Sequence, residues 1–301
     1  MRRLTWTLVL TLTLSALAWG QGVKPVPESA RAQELLKKAR AALGSEAKLK
    51  SIQGLSASGK FRRIANDREI TGDIEFDLML PDKYKKSETM NPVPSVSITS
   101  IDIINGESVV LDARVSGPGN IIYNRPGGAN STPQAKEAAQ RAAREEYARM
   151  LVGWLLTSPS TFPVEFRYAG EAEAPDGRAD VLEVKGPSNF VAHLFLDSKS
   201  HLPLMLAYDA PAPKMVLQTS NGKESQEALK KKIEDQMAKA NAGPAQVKIQ
   251  IRFLDYRAVD GVLFPSRITK EIDGETSEEW KMSNYKINPA FSPERFEKKG
   301  A

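Results

Sequence analysis

The sequence predicts a mainly β protein of the α+β kind: a strongly curved antiparallel sheet, one N-terminal helix and one amphipathic helix inserted midway. Three observations carry this. Long runs alternate apolar and polar residues with period two, as strands with one buried face do. Asn105-Gly106, Asp176-Gly177, Asp260-Gly261 and Asp273-Gly274 punctuate the runs, and each supplies the positive-φ positions of a tight hairpin. Helical periodicity strong enough to pack against a core is confined to one stretch near the start and one near the middle.

The elements follow in order. Met1-Arg2-Arg3 is a short basic start, Leu4 to Trp19 is almost wholly apolar or hydroxylic, and Ala18-Trp19-Gly20 offers small residues to a cut before Gln21. Residues 1–20 therefore read as a secretory signal peptide. A membrane anchor is the alternative, but the stretch falls short of the ~20 apolar residues a spanning helix needs. The mature chain, 21–301, is expected as one periplasmic or secreted domain, soluble after cleavage, with insertions at about 115–160 and 210–244.

After a Pro-broken lead-in at 21–27, a helix is predicted from Glu28 to Leu43, with Ala32, Leu35, Leu36, Ala39 and Leu43 as its stripe and Gly44 as its stop. About a dozen strands are predicted between Gly54 and Ile287. Ile70, Gly72, Ile74, Phe76, Leu78 and Leu80 share one face, against Thr71, Asp73, Glu75 and Asp77 on a solvated one. Val247, Ile249, Ile251 and Phe253 alternate in the same way. Trp280 and Met282 share one parity, and Tyr285 and Ile287 the other, so a bulge near Ser283 or Asn284 is needed to restore the face.

Two segments interrupt the strands. The first opens with a loop rich in Gly, Pro and Asn. A helix follows, with Thr132 as N-cap and Pro133 at its first position. Its apolar side is Ala135, Ala139, Ala142, Ala143, Tyr147, Met150, Leu151, Trp154 and Leu155. From Met150 to Leu156 it is apolar all round, so that end must be buried or must cover something. The second interruption holds a charged helix over about 224–240 with a narrow stripe, expected on the surface.

Composition narrows the function. There are no cysteines, which excludes disulfides, Cys-ligated metals, Cys nucleophiles and a lipid-modified N-terminal Cys. There are two histidines, His193 in a strand and His201 after a turn, too few for a His-rich metal site. Ser198, Ser200, His201 and Asp197 crowd one turn, which rarely aligns a triad. There is no nucleophile elbow, phosphate loop or dinucleotide-binding glycine pattern. The net charge of +5 drops to about +3 once Arg2 and Arg3 leave with the leader, which argues against nucleic acid. No cofactor and no metal site is expected, and no enzymatic activity.

Three stretches carry a resemblance to a family. The first is the helix ending at Leu43-Gly44, followed by Ile52-Gln53-Gly54-Leu55 and a long strand. The second is Leu194 to Leu204 (LFLDSKSHLPL), a strand, turn and strand with Leu-Pro opening the second. The third and most specific is Phe253-Leu254-Asp255-Tyr256, then Val259-Asp260-Gly261-Val262-Leu263-Phe264-Pro265, with Asn288-Pro289 before Phe296. In these the chain resembles the periplasmic outer-membrane lipoprotein carriers, the LolA-like superfamily, as a divergent member with insertions. The resemblance implies a half-open β-barrel whose interior holds lipoprotein acyl chains or lipid. Arg62 and Arg63 lie in the general region of the family's lid-locking arginine. The expected lining is Ile74, Phe76, Leu78, Ile249, Ile251 and Trp280. The expected lid is Tyr147, Met150, Leu151, Trp154 and Leu155. The alternative is a non-enzymatic envelope sensor or interaction module with membrane or envelope proteins as partners.

Overall fold

The computed structural model of the chain describes residues 28–65, 68–93, 95–117, 121–124, 127–128, 131–174, 177–212, 216–219, 227, 231 and 246–297. The expected leader and nearly all of the expected 224–240 helix lie outside them. Helix α1 spans Glu28–Leu43, and its five predicted stripe residues are all buried. Gly44 stops it at φ 155, where a Cβ would also sit 2.6 Å from the Gly261 carbonyl oxygen. A short helix that periodicity does not announce, α2 (Glu46–Ser51), follows, with the Ser45 side chain accepting from the Lys48 amide at its start.

Five strands form a meander: β1 (Gly54–Ala65), β2 (Arg68–Met79), β3 (Lys83–Val93), β4 (Val96–Asn105) and β5 (Ser108–Ser116). After β6 (Ile121–Asn124) comes helix α3 (Pro133–Leu155), capped by Thr132, whose hydroxyl oxygen accepts from the Ala135 amide. The chain continues through β7 (Glu165–Ala174), β8 (Gly177–Lys185), β9 (Val191–Asp197), β10 (Pro203–Pro211) and β11 (Val216–Thr219). It ends with β12 (Gln246–Val259), β13 (Val262–Ile272), β14 (Glu275–Ile287) and a 3-10 turn at Pro293–Phe296.

Twelve strands join in one antiparallel sheet, in the order β5-β4-β3-β2-β1-β14-β13-β12-β10-β9-β8-β7. The sheet is open, with β5 and β7 as its edges, and it is curved: α1 packs both on the edge strand β7 and on β13 near the middle. This is the fold class the sequence predicts, an unclosed half-barrel with a helix across it. The first and last strands of the sheet sequence lie side by side at its centre. Asn288 fixes that junction, its Oδ1 accepting from the Gln53 and Gly54 amides at 2.7 and 3.0 Å and its Nδ2 donating to the Ser51 carbonyl at 3.0 Å. The small second sheet pairs β6 with β11, so the two segments that interrupt the strand pattern meet each other.

The hairpins form where the dipeptides place them. Asp260-Gly261 and Asp273-Gly274 have both residues at positive φ, 50 and 76 in the first and 50 and 88 in the second, which suits the twist of the flanking strands. The bulge also falls where parity requires it. Ser58 pairs with Asn284 and Gly59 with Met282, which leaves Ser283 as the extra residue. Trp280, Met282 and Tyr285 then share the inner face. Two expectations need correction. Asp77 does not belong to the solvated face: it is 2% exposed, and it accepts from Ser56 Oγ at 2.7 Å and from Arg295 Nε at 2.6 Å. Ala135 and Ala142 on α3 are exposed, because the continuously buried part of that helix begins only at Tyr147.

Candidate functional site: the concave face and its covering helix

The inner face of the sheet is assembled by register. Ala57 of β1 stands opposite Phe76 of β2 and opposite Tyr285 of β14, and Phe61 stands opposite Trp280. One cluster joins Leu55, Ile74, Phe76, Leu78, Tyr84, Phe253, Phe264, Ile268 and Tyr285. The C-terminal half of α3 lies across it. Every residue from Tyr147 to Leu156 is buried. Trp154 meets Phe76 edge-on at 5.4 Å between centroids and Tyr285 at 5.7 Å. Tyr147 stacks on Tyr84 at 4.8 Å, and Tyr285 stacks on Phe264 at 4.6 Å. Gly153 allows the close approach, since a Cβ there would lie 2.3 Å from Phe253 Cζ.

The expected lining and lid are placed as follows. Ile74, Phe76 and Leu78 form the floor, and Trp280 and Ile251 pack against the cluster while half-buried. Ile249 is buried but stands outside that cluster. Tyr147, Met150, Leu151, Trp154 and Leu155 all belong to the cluster. These side chains pack against one another between floor and helix. Cavities of about 670, 560 and 440 Å³ lie elsewhere: between α1 and β7, beside Arg149, and over the outer face at Lys60 and Asp73.

Polar contacts hold α3 at its rim. Tyr147 donates its hydroxyl to the Pro81 carbonyl at 3.3 Å, Arg40 of α1 donates to the Leu156 carbonyl at 2.9 Å, and Lys86 Nζ donates to Glu146 at 2.7 Å. Arg144 also donates to the Glu107 carbonyl.

Lys86 opens onto a charged network that periodicity does not reveal. It pairs with Glu88 at 2.9 Å. Glu88 accepts from Arg63 at 3.0 Å, and Arg63 clasps Glu278 through two bonds of 2.8 and 3.1 Å. Trp280 donates its indole N–H to Glu278 at 2.6 Å. The four charged side chains are 7–15% exposed. Burial pushes the Glu88 carboxyl up, but Lys86 and Arg63 outweigh this and hold it far below the usual carboxylate range. Burial would lower the Lys86 ammonium, yet Glu146 and Glu88 raise it well above its ordinary value. Arg62 faces outward to Glu69 and Glu279. Arg63 thus locks carboxylates of the sheet, and the direct tie to α3 belongs to Lys86.

The two histidines sit apart. His193 stands opposite Glu183 and Ala207 in the sheet. In the 197–201 turn, Asp197 Oδ1 accepts from Ser200 Oγ at 2.7 Å and from the Ser200 amide at 2.6 Å, which makes it a turn-forming group. Burial and backbone at this end instead explain the sequence motifs: Tyr256 donates its hydroxyl to the Pro203 carbonyl at 2.8 Å, so the Asp-Tyr and Leu-Pro stretches brace each other. Among the described residues no group of three His, Asp or Glu side chains could hold a metal, and no helix is long and apolar enough to cross a membrane.

A half-barrel covered by α1 and the second half of α3 is the architecture these observations define. No protein-family model matches the sequence, and neither does any curated protein. Solved structures are similar over most of the chain, each at a TM-score below 0.5. A LolA superfamily protein from Nitrosomonas europaea is 12% identical, with 89% of this chain and 97% of that one covered and a TM-score of 0.44. A DUF1329 family protein from Desulfovibrio piger is 9% identical over 88% and 97% of the two chains, with a TM-score of 0.45. An outer membrane lipoprotein-sorting protein domain from Vibrio parahaemolyticus is 11% identical over 88% and 97%, also at 0.45.

Proposed function

We propose that the protein is a non-enzymatic periplasmic carrier that takes up alkyl chains, of lipid or of lipoprotein acyl groups, on the concave face of the sheet, with the second half of α3 as its lid. The supporting observation is that the apolar end of α3 lies beside α1 over the apolar floor, packs its own side chains onto it and is tied down by polar contacts at its rim. A helix end that is apolar on every side has no favourable place in water. It either lies on the floor or moves where its apolar surface stays covered. An alkyl chain can replace it on the floor because burial is non-directional. A sixteen-carbon chain offers roughly 12 kcal/mol at about 0.8 kcal/mol per buried CH₂. Ile74, Phe76, Leu78, Ile249, Ile251 and Trp280 are the proposed lining, and Tyr147, Met150, Leu151, Trp154 and Leu155 the cover.

Lipid extraction and native mass spectrometry of the purified protein, with titration of a fluorescent fatty acid, test this. Co-purifying lipid or saturable binding is the expected result, and neither being found overturns it. The chain has no cysteine, so Ala148→Cys places a single thiol at a position that is 0% exposed. Its labelling by a maleimide is expected to speed up several-fold as ligand saturates the protein. An unchanged rate with ligand bound removes the lid.

A further inference from the structure

The wall of the half-barrel is split between two of its strands. β9 and β10 pair from Leu196 and Pro203 only as far as His193 and Ala207. Beyond that point each keeps its other neighbour: β10 pairs with β12 out to Pro211 opposite Gln246, and β9 pairs with β8 out to Val191 opposite Lys185. A cavity of about 560 Å³, within the range of small-molecule sites, lies at the split. Residues of both sheet faces line it: His193 and Asp209 point one way by register, Tyr208 the other.

Arg149 of α3 reaches this cavity from the inner face. Its side chain is 10% exposed, with the guanidinium carbon 3.8 Å from the Tyr208 ring centroid and 4.9 Å from that of Phe190. Among the described residues one carboxylate answers it, Glu145 at 2.8 Å through Nη2. Its Nε is buried and makes no hydrogen bond to a described residue. A guanidinium carries five N–H donors in a planar fork that suits a carboxylate, and leaving donors of a buried charge unmatched is unfavourable. The other charges at the cavity, Asp209 and Lys248, stand directly opposite each other on β10 and β12. Phe190 and Tyr208, which flank the guanidinium, belong to or pack on the same apolar cluster as the floor under α3.

We propose that the split between β9 and β10 is the headgroup site for an amphiphilic monocarboxylate, with Arg149 binding the carboxylate and the apolar tail running inward past Phe190 and Tyr208 to the floor beneath α3. This rests on the carrier reading and names its ligand class: a free fatty acid or a similar long-chain acid rather than a neutral lipid. Arg149 is a binding residue, and the aromatic pair holds its fork in place.

Isothermal titration with dodecanoate, 1-dodecanol and 3-phenylpropionate tests it, on the wild type, on Arg149→Gln, and on a Glu145→Gln/Arg149→Met double variant that removes the ion pair as a unit. The wild type is expected to prefer dodecanoate over dodecanol by tenfold or more. Both variants are expected to lose that preference while still binding dodecanol. If the wild type binds acid and alcohol alike, or a folded variant keeps the preference, the headgroup site falls and the carrier stands. If neither long-chain compound binds but 3-phenylpropionate does and needs Arg149, the carboxylate site stands and the carrier falls. If nothing binds, both fall. Should Arg149→Gln fail to fold, the double variant decides.

Discussion

The concave face has two parts built on opposite principles. Under the end of α3 the contacts are rings and aliphatic chains: Trp154 against Phe76 and Tyr285, Tyr147 on Tyr84, Phe253 against Gly153. Other positions of the sheet carry Arg63, Lys86, Glu88 and Glu278, largely enclosed but charged. The apolar part gains from any burial and tolerates substitution of one greasy occupant for another. The charged part is favourable only while each member keeps its partner, because the low-dielectric surroundings penalise a lone charge severely. A helix seated on the first and tied to the second by Lys86 and Glu146 therefore has a forgiving surface and an exacting rim.

The largest effect is expected from emptying the apolar part. Trp154→Ala removes an indole that is 2% exposed and is forecast to destabilise the protein by about 3–5 kcal/mol in urea or thermal unfolding. A loss under about 1 kcal/mol would mean that α3 does not contribute to the core.

The charged part is expected to behave differently. Lys86→Met leaves Glu88 and Glu146 without their shared cation, and a loss of about 3 kcal/mol or more follows from breaking a buried pair. Adding Glu88→Leu leaves Arg63 still clasped to Glu278, so the double variant is expected to recover at least half of that loss. If the two losses simply add, the network is not a unit. The Glu88 carboxyl is depressed in the folded protein, so its contribution is full above its unfolded value of about 4.3 and is lost as pH falls below that. Unfolding measured from pH 7 down to 3 is expected to show a shallower acid limb in the double variant than in the wild type.

This contrast also explains what the sequence discloses. Apolar periodicity is a local signal, and it places α1, the floor residues Ile74, Phe76 and Leu78, the two Asp-Gly hairpins near the C-terminus and the bulge at Ser283. It also marks the apolar end of α3, though not which way that end faces. Charged residues on an inner face give no such signal. Lys86 and Glu88 on β3 look like solvated polar residues until Glu146 is brought to Lys86 from 60 residues away and Arg63 to Glu88 from 25, with Glu278 joining Arg63 across 215. Arg149 is hidden for the same reason: only the fold supplies Phe190 and Tyr208 on its two sides. The split between β9 and β10 is a property of register, which hydropathy alone does not set.

One strand carries the same lesson at its smallest scale. Asp73 and Asp77 of β2 point outward by parity and look alike in sequence. Asp73 pairs with Lys60 at 2.5 Å, but both side chains are more than half exposed, and water screens such a pair. Asp77 lies under Arg295, brought there by the turn at the end of the chain, and also accepts from Ser56. Asp77→Ala removes the acceptor of a guanidinium and of a hydroxyl and is expected to cost about 1.5–3 kcal/mol, since bonds to charged groups lie in that range. Asp73→Ala is expected to cost under about 1 kcal/mol. Equal losses in chemical denaturation would show that the C-terminal turn does not hold Asp77. Environment, rather than residue type, would then have no part in separating these two carboxylates.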